Sequence, residues 1–350
     1  KATNTPGGPT NTPTATNTPT PSWKYVGNAG FSPGAAIWPS MYVSNGTPYV
    51  AYSDHTYGDK ATVMMFNGSS WTSVGNPGFS ADAMLFSSVY VYNGTPYVAY
   101  MDTKVTVMMY NGTSWIPVGT PGFSAGAVFT LCLYVYNGTP YLAYEDMYYD
   151  SKATVMMYNG TDWITLGAPG FSAGAISLPS LCVYNGTPYV AYEDDGLKVR
   201  VMSFNGTSWV SVGTTGFSGN EASLYIDNDG TPYVAYRDGT NGYKATVMKY
   251  NGTSWVTVGN AGFSVGGVTI LSRSLYVSNG TPYLGYSDHE NGYKATVMKF
   301  DGINWTTVGP AGFSAGMADS LFLSVSNGIP YVSYSGDING EKATVMKFSN

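Results

Sequence analysis

The sequence of 350 residues is poor in charge and in the side chains that most often carry chemistry. Only 10% of its residues are charged, its net charge is −6, and it has two histidines and two cysteines. The low charge content and the negative net charge argue against a general nucleic-acid-binding protein, which needs basic patches that displace counterions. No apolar run is long enough to cross a membrane as a helix, so no transmembrane segment is predicted.

Recognisable catalytic motifs are also missing. There is no phosphate-binding loop and no paired spacing of metal ligands. Catalysis needs a unique, asymmetric constellation of nucleophile, base and charge-stabilising groups. We therefore expect a chain that is not an enzyme and that uses no cofactor and no metal.

Tyrosine and glycine are abundant instead, with 31 and 44 copies, and 43% of the residues are hydrophobic. Such a composition provides a large core and suits strands and tight turns better than exposed helices. Low charge together with high tyrosine, threonine and asparagine is typical of extracellular or cell-surface proteins. We expect that localisation here.

A repeat of 44–50 residues covers nearly the whole chain. Each copy contains a tryptophan, a G-F-S triplet, a strand pattern, an N-G turn, a strand such as "YVAYSD", a variable loop and a strand such as "KATVMKY". Asn-Gly between short β-rich runs predicts type I′ hairpins, since both central residues need a positive φ. The tryptophans are Trp23, Trp71, Trp115, Trp163, Trp209, Trp255 and Trp305.

Four-stranded repeats of this length are typical of β-propellers. We predict an all-β fold over residues 22–350, namely a seven-bladed β-propeller of four-stranded antiparallel blades. The strand that contains Trp23 precedes the first complete unit, and the last unit has only three strands. We expect the N-terminal strand to close the ring by pairing in the last blade. The residues expected at this closure are Trp23, Tyr25, Val26, Ala343, Val345 and Phe348.

In its repeat architecture and this closure, the sequence resembles seven-bladed propellers of secreted bacterial proteins that carry Thr/Pro-rich linkers. It has neither the Gly-His…Trp-Asp signature of WD40 repeats nor the Asp-box pattern of sialidases. The resemblance therefore implies a fold and a secreted setting, and it implies no functional residue.

Residues 1–21 form a separate Thr/Pro-rich segment without large apolar side chains, which predicts an extended tail or linker. At about 3.1 Å per residue the tail reaches roughly 70 Å, beyond a ring about 50 Å across. Our leading hypothesis is an extracellular structural module that self-associates head-to-tail into fibres through this tail; a passive spacer is the alternative. The tail residues expected to mediate assembly are Thr5, Pro6, Thr12, Pro13, Thr18 and Pro19.

The loops between the second and third strands of each repeat vary, whereas the Asn-Gly turns are nearly uniform. Because variable loops on a rigid scaffold usually bind ligands, the alternative function is multivalent, lectin-like binding of glycans at this face. The candidate ligand residues are His55, Tyr57, Tyr148, Tyr149 and His289.

An aspartate recurs two residues after the second tyrosine of the "PYVAY"-type strand in six of the seven units; in the seventh, Gly336 stands in that place and Asp337 follows it. We expect each carboxylate to cap its own loop as an Asx turn; an acidic ring that binds a cation is the alternative. These residues are Asp54, Asp102, Asp146, Asp194, Asp238 and Asp288.

The phenylalanines and the cysteines have predicted structural roles. The phenylalanines of the G-F-S triplets are expected to pack between neighbouring blades rather than to serve as sugar platforms. Cys132 and Cys182 lie at odd offsets before their turns, so both side chains point to the same face of their strands. A bridge between adjacent blades needs opposite faces, and we predict two buried free thiols.

Overall fold

The computed structural model describes residues 2, 20–214 and 216–350, and leaves the side chain of Asp337 undescribed. Within these ranges every regular element is a β-strand or a three-residue 3-10 turn, which confirms the all-β prediction. No helix in the described part of the chain is long and apolar enough to span a membrane.

The repeats contribute strands in a regular order, and the four strands of a repeat are called A, B, C and D here. The first three units comprise β2 (Ala36–Ser44), β3 (Thr47–Asp54), β4 (Lys60–Phe66), β5 (Trp71–Ser73), β6 (Leu85–Tyr92), β7 (Thr95–Met101), β8 (Val105–Tyr110), β9 (Trp115–Pro117), β10 (Val128–Tyr136), β11 (Thr139–Asp146), β12 (Lys152–Tyr158) and β13 (Trp163–Thr165). The next two comprise β14 (Ile176–Tyr184), β15 (Thr187–Asp194), β16 (Lys198–Phe204), β17 (Trp209–Ser211), β18 (Phe217–Ile226), β19 (Pro232–Asp238), β20 (Lys244–Tyr250) and β21 (Trp255–Thr257).

The remaining strands are β1 (Ser22–Tyr25), β22 (Val268–Thr269), β23 (Leu275–Ser278), β24 (Thr281–Asp288), β25 (Lys294–Phe300), β26 (Trp305–Thr307), β27 (Asp319–Ser326), β28 (Ile329–Ser335) and β29 (Ala343–Ser349). The 3-10 turns cover His55–Tyr57, Met147–Tyr149, Gly239–Asn241, His289–Asn291 and Asp337–Asn339. In the sixth unit, β22 and β23 both pair with β24 and together take the place of strand A.

Each unit forms a four-stranded antiparallel sheet in the order A-B-C-D, as predicted. The fourth and fifth units are joined into one eight-stranded sheet because β16 also pairs with β18. The strand β1 pairs with β29, with Trp23 opposite Phe348 and Tyr25 opposite Met346. Beyond the strand, the N–H of Val26 donates to the carbonyl oxygen of Val345 at 2.9 Å.

The two kinds of Asn-Gly turn differ. Between A and B, both Asn45 and Gly46 have positive φ, at 49° and 79°, as a type I′ turn requires. Between C and D, the side-chain oxygen of Asn67 accepts N–H bonds from Ser69 and Ser70, each 2.9 Å. The type I′ prediction is wrong for this second loop, because the asparagine side chain satisfies the backbone amides of a longer loop.

Aromatic side chains join each sheet to the next. The indole N–H of Trp71 donates to the carbonyl oxygen of Val26 at 2.7 Å, and Phe31 stacks on the Trp71 ring with centroids 3.7 Å apart. The same bond recurs at Trp23, Trp115, Trp163, Trp209, Trp255 and Trp305. The G-F-S phenylalanines therefore pack between sheets, as predicted, and stacked pairs contribute about 0.5–1.5 kcal/mol beyond their buried area.

Small polar side chains join neighbouring A strands. The hydroxyl of Ser40 accepts the N–H of Val89 at 3.1 Å. In the third unit the Cys132 sulfur takes this place and accepts the N–H of Leu181 at 3.4 Å. Cys132 and Cys182 are buried and unbridged, which confirms the prediction of two free thiols.

Candidate ligand-binding site

The candidate tail residues cannot be placed. Thr5, Pro6, Thr12, Pro13, Thr18 and Pro19 lie outside the described residues. The described part of the chain contains no observation that favours head-to-tail fibre assembly, so the search for a functional site concerns the sheets and their loops.

The recurring aspartates are held separately, each at the end of its own B strand. Asp54 Oδ1 accepts the N–H of Thr56 at 3.1 Å, and Asp146 accepts the N–H of Tyr148 and the hydroxyl of Thr154. Comparable capping bonds are made by Asp102, Asp194, Asp238 and Asp288. Among the described residues no three His, Cys, Asp or Glu side chains are grouped so that they could hold a metal ion.

The candidate loop residues are spread over separate units and do not converge. Tyr57 packs over Gly78, and Tyr149 packs over Gly170, so these rings fill gaps between neighbouring units. Tyr148 is 67% exposed and meets Tyr149 edge-on, with ring centroids 5.1 Å apart. Tyr57, Tyr148 and His55 are the exposed members of this set.

The two histidines have different surroundings. The exposed His55 ring bonds its own loop through Asp59 at 3.0 Å. His289 bonds the Thr269 hydroxyl at 3.0 Å and packs against Tyr293. Partial burial, and then the charge of Arg237, lower the pKa of His289 below its ordinary value. The structure does not bring the two imidazoles together.

A second set of aromatic residues, absent from the sequence-based candidates, lies where the A strands converge on the variable-loop side. Several A strands carry a bulge there. In β2 the register shifts between Ile37 and Ser40, leaving Trp38 and Pro39 out of the ladder. Proline has no N–H to donate, which favours an irregularity at this point. A bulge of this kind redirects the side chain of the extra residue.

These bulges place bulky residues in an unfavourable backbone conformation. Trp38 has a φ of 52° and Phe86 a φ of 49°, and Leu178 also has a positive φ. The left-handed region costs roughly 1–2 kcal/mol for a residue with a β-carbon. Positive φ at a large aromatic residue is a true outlier and is found mainly where function requires it.

The bulges surround one cavity of about 110 Å³, called the aromatic mouth below. Trp38 lies 4.6 Å from Phe86, and Phe86 lies 5.2 Å from Phe129, measured between ring centroids. Trp38 is 43% exposed and Phe129 is 55% exposed. The mouth is lined by Trp38, Pro39, Phe86, Ser87, Thr130, Leu131, Leu178, Pro179, Leu271, Ser272, Ser320 and Phe322. Large exposed apolar groups in one row mark a binding surface.

Charged side chains continue the rim of the mouth on the third, fourth and fifth units. Thr130, in the mouth, donates its hydroxyl to Glu145 at 3.5 Å. Glu193 accepts the hydroxyl of Ser177 at 3.1 Å and the N–H of Glu221 at 3.4 Å. These bonds connect carboxylates of successive units along one edge.

Glu221 occupies the bulge position of the fifth unit and also has a positive φ. It accepts the N–H of Ile270 at 2.9 Å and pairs with Arg237 at 3.4 Å. Burial raises the pKa of the Glu221 carboxyl, the Ile270 and Arg237 interactions oppose this shift, and the charge of Glu193 adds to it. Carboxylates and a guanidinium at the rim provide acceptors and donors for a hydroxyl-rich ligand.

Sequence reasoning missed this site although a signal was present. The residue seven positions before each A–B turn is Trp38, Phe86, Thr130, Leu178, Glu221, Ser272 or Ser320, whereas the turn itself hardly changes. Variation at one position of an otherwise uniform repeat marks a surface that the fold does not constrain.

Solved structures similar to this chain are β-propeller proteins with both catalytic and binding functions. The polysaccharide lyase Uly1 superposes with a TM-score of 0.58 at 9% identity, over 91% of this chain and 90% of that chain. Aleuria aurantia lectin, in complex with Fucα1-6GlcNAc, gives 0.52 at 14% identity, over 83% and 100% of the two chains. Trypanosoma rangeli sialidase, in complex with sialic acid, gives 0.52 at 12% identity, over 95% of this chain and 59% of that chain.

No protein-family model matches the sequence, and no curated protein matches it. The prediction that the chain is not an enzyme is wrong. It was inferred from the repeats, and proteins of the same fold include a lyase and a sialidase. At these identities the similarity establishes the fold, and the fold is that of the β-propellers.

Proposed function

We propose that this chain is a carbohydrate-binding β-propeller that binds glycans at the aromatic mouth. The observation that carries the proposal is the row of Trp38, Phe86 and Phe129, of which Trp38 and Phe86 have a strained, positive φ. One face of a pyranose ring carries C–H groups, which pack well against an aromatic face. Three adjoining rings offer a platform for more than one sugar unit.

The charged rim supplies the complementary half of such a site. Sugar hydroxyls both donate and accept, and Glu193, Glu221 and Arg237 provide acceptors and donors at the rim of the mouth. Charge-assisted bonds of this kind are roughly twice as strong as neutral ones. The aromatic row gives affinity for the sugar face, and the rim selects among hydroxyl patterns.

The scaffold in this proposal is a closed ring of seven blades over residues 22–350, preceded by the tail of residues 1–21. Support comes from the junction between the last and first units, where Val26, Ala36 and Tyr52 share one buried cluster with Ala343 and Val345. Closure within the chain leaves no exposed strand edge between the first and last blades. A glycan-binding role is consistent with the extracellular setting that we infer from composition.

The test is a glycan array probed with the full chain, followed by titration of the best glycan. We expect Trp38→Ala and Phe129→Ala to weaken binding at least tenfold, equivalent to about 1.4 kcal/mol. Tyr148→Ala removes the exposed loop tyrosine and serves as the matched control, and Ile303→Ala, on the Asn-Gly side, controls for surface truncation.

Binding that is unchanged in both mouth variants and lost in Tyr148→Ala would move the site to the variable loops. An array without hits for the full chain would end the proposal of carbohydrate binding. Thermal unfolding of each variant separates loss of the site from loss of the fold.

A further inference from the structure

The sixth unit departs from the repeat by an insertion at the centre of the fold. Phe263 and Asn279 are sixteen positions apart, whereas the corresponding Phe31 and Asn45 are fourteen apart. The extra length splits strand A into β22 and β23 and places residues 271–274 outside the ladder. The insertion amounts to two residues, and the stretch outside the ladder, "LSRS", contains the single arginine of the unit, Arg273.

The insertion reaches across to several other units. The hydroxyl of Ser180 donates to the carbonyl oxygen of Ser272 at 2.5 Å. The N–H of Leu323 donates to the carbonyl oxygen of Arg273 at 3.0 Å. The guanidinium of Arg273 donates through Nη1 to the carbonyl oxygen of Val89 at 2.8 Å and through Nη2 to that of Leu133. The Arg273 side chain is thereby bonded to the second and third units, and the backbone of residues 272 and 273 is bonded to the fourth and seventh units.

Behind the insertion lies a second cavity of about 120 Å³, called the tyrosine chamber below. Ser272 lines both this chamber and the aromatic mouth, so the insertion separates the two. The tyrosines of the chamber stand three residues before their A–B turns, towards the Asn-Gly side, and all are partly exposed: Tyr42, Tyr90, Tyr134, Tyr225 and Tyr276.

Arg273 carries a charge there without a carboxylate partner. None of the ion pairs among the described residues includes it. Burial by itself lowers its pKa, but the neighbouring Cys132 and Tyr90 raise it overall, so the guanidinium stays protonated. Arg273 is partly buried, and its guanidinium lies 5.6 Å from the centroid of the Tyr90 ring. A partly buried cation without a counter-charge is costly, and proteins ordinarily pair such a group.

The chamber offers donors to a ligand rather than acceptors. A guanidinium has five N–H groups, and the two carbonyl bonds use two of them. Burial raises the pKa values of Tyr90, Tyr134 and Tyr225, so their hydroxyls keep their protons. Burial likewise raises the pKa of the Cys182 thiol to about 12, so Cys182 does not supply the missing negative charge.

We propose that the tyrosine chamber is a binding site for a small organic carboxylate, with Arg273 as its counter-charge. A planar carboxylate accepts two parallel N–H bonds from a guanidinium. The rest of the wall includes Met41, Leu181 and Ile226, which suit the hydrocarbon part of an organic acid better than a fully hydrated inorganic anion. This site is distinct from the proposed glycan site, and its test does not depend on glycan binding.

The experiment uses the full chain with sodium acetate as the probe, and with acetamide and sodium chloride at matched ionic strength as controls. Because a ligand of the folded state raises the unfolding temperature, we expect acetate to raise Tm and the controls to leave it unchanged. Arg273→Met should abolish the acetate-dependent rise, which corresponds to a loss of affinity of roughly tenfold or more. Arg237→Met, which removes the arginine of the mouth, should keep the full effect.

Equal Tm values in acetate and chloride, or an equal acetate effect in Arg273→Met, would overturn the proposal. If Arg273→Met does not fold, saturation-transfer NMR on the unmodified chain decides. Irradiation of the tyrosine ring protons should transfer saturation to the acetate methyl group and not to that of acetamide. Absence of transfer to acetate would also overturn it.

Discussion

The indole N–H of Trp23 donates to the carbonyl oxygen of Val308 at 2.7 Å, although 285 positions separate the two residues. Six other tryptophans make the same bond to the preceding unit at 2.7–2.8 Å, over separations of 41–47 positions. Trp23 also stacks on Phe313 with centroids 4.0 Å apart. The N-terminal strand thus makes the contacts that a D strand makes elsewhere in the chain.

Loss of this strand should destabilise the fold. Deleting residues 1–21 should change Tm little, because the deleted segment precedes β1. Deleting residues 1–27 exposes the edge of β29 and should cause unfolding or oligomerisation. Trp23→Phe keeps an aromatic side chain but loses the indole hydrogen bond, so it should lower the free energy of unfolding by about 1 kcal/mol. Chemical denaturation measures each effect. Trp209→Phe, which removes the corresponding bond from an internal D strand, is the matched control. Equal stability of the two deletions would contradict ring closure.

Cys132 should tolerate replacement by serine. Its sulfur accepts an N–H where the first and second units use the hydroxyls of Ser40 and Ser88. Cys132→Ser restores the repeat chemistry, so we expect the free energy of unfolding to change by less than about 1 kcal/mol. Cys132→Val leaves the Leu181 N–H without an acceptor and should cost about 1–3 kcal/mol. Denaturation midpoints that rank the two variants in the opposite order would refute this role.

Glu221 should make stability depend on pH. Its folded-state pKa is raised above the ordinary value of 4.5 by burial and by Glu193, against the opposing effects of Ile270 and Arg237. The folded state therefore holds the proton more tightly than the unfolded state. Its contribution is most favourable below the unfolded pKa and declines as pH rises through the folded pKa.

The variant Glu221→Gln removes this titration. The Tm of the unmodified chain minus that of the variant should fall as pH rises from about 4 towards neutrality. Glu145→Gln should show the same sign, since burial also raises the pKa of Glu145. A difference that stays constant across this range, or grows in favour of the unmodified chain, would contradict the assignment.

Much of the architecture could be predicted because it depends on local signals. The strand pattern, the Asn45-Gly46 turn and the pairing of the Trp23 strand with β29 follow from residue types that have few alternatives. The bulges could not be predicted, because tryptophan and phenylalanine do not favour positive φ and adopt it at positions 38 and 86 only through tertiary packing. Arg273 was missed because its role comes from the convergence of distant units.

The strain at Trp38 allows function and stability to be separated. Trp38→Gly relieves the positive φ, which is worth about 1 kcal/mol, but it also loses the buried part of the indole and its contact with Phe86, together worth roughly 2–4 kcal/mol. We expect a folded protein with a lower Tm and a large loss of glycan binding. Ser320→Gly relieves the same strain at the mouth without removing an aromatic ring, so it should raise Tm and retain binding. A Trp38→Gly protein that keeps full glycan affinity would show that this ring is not part of the site.

The most direct measurement is a crystal structure of the full chain with the best glycan from the array. The account predicts a sugar ring stacked on the Trp38, Phe86 and Phe129 row, with hydroxyl groups bonded to Glu221 or Arg237. Sugar density confined to the variable loops beside Tyr57 or Tyr148, with the mouth left unoccupied, would contradict it.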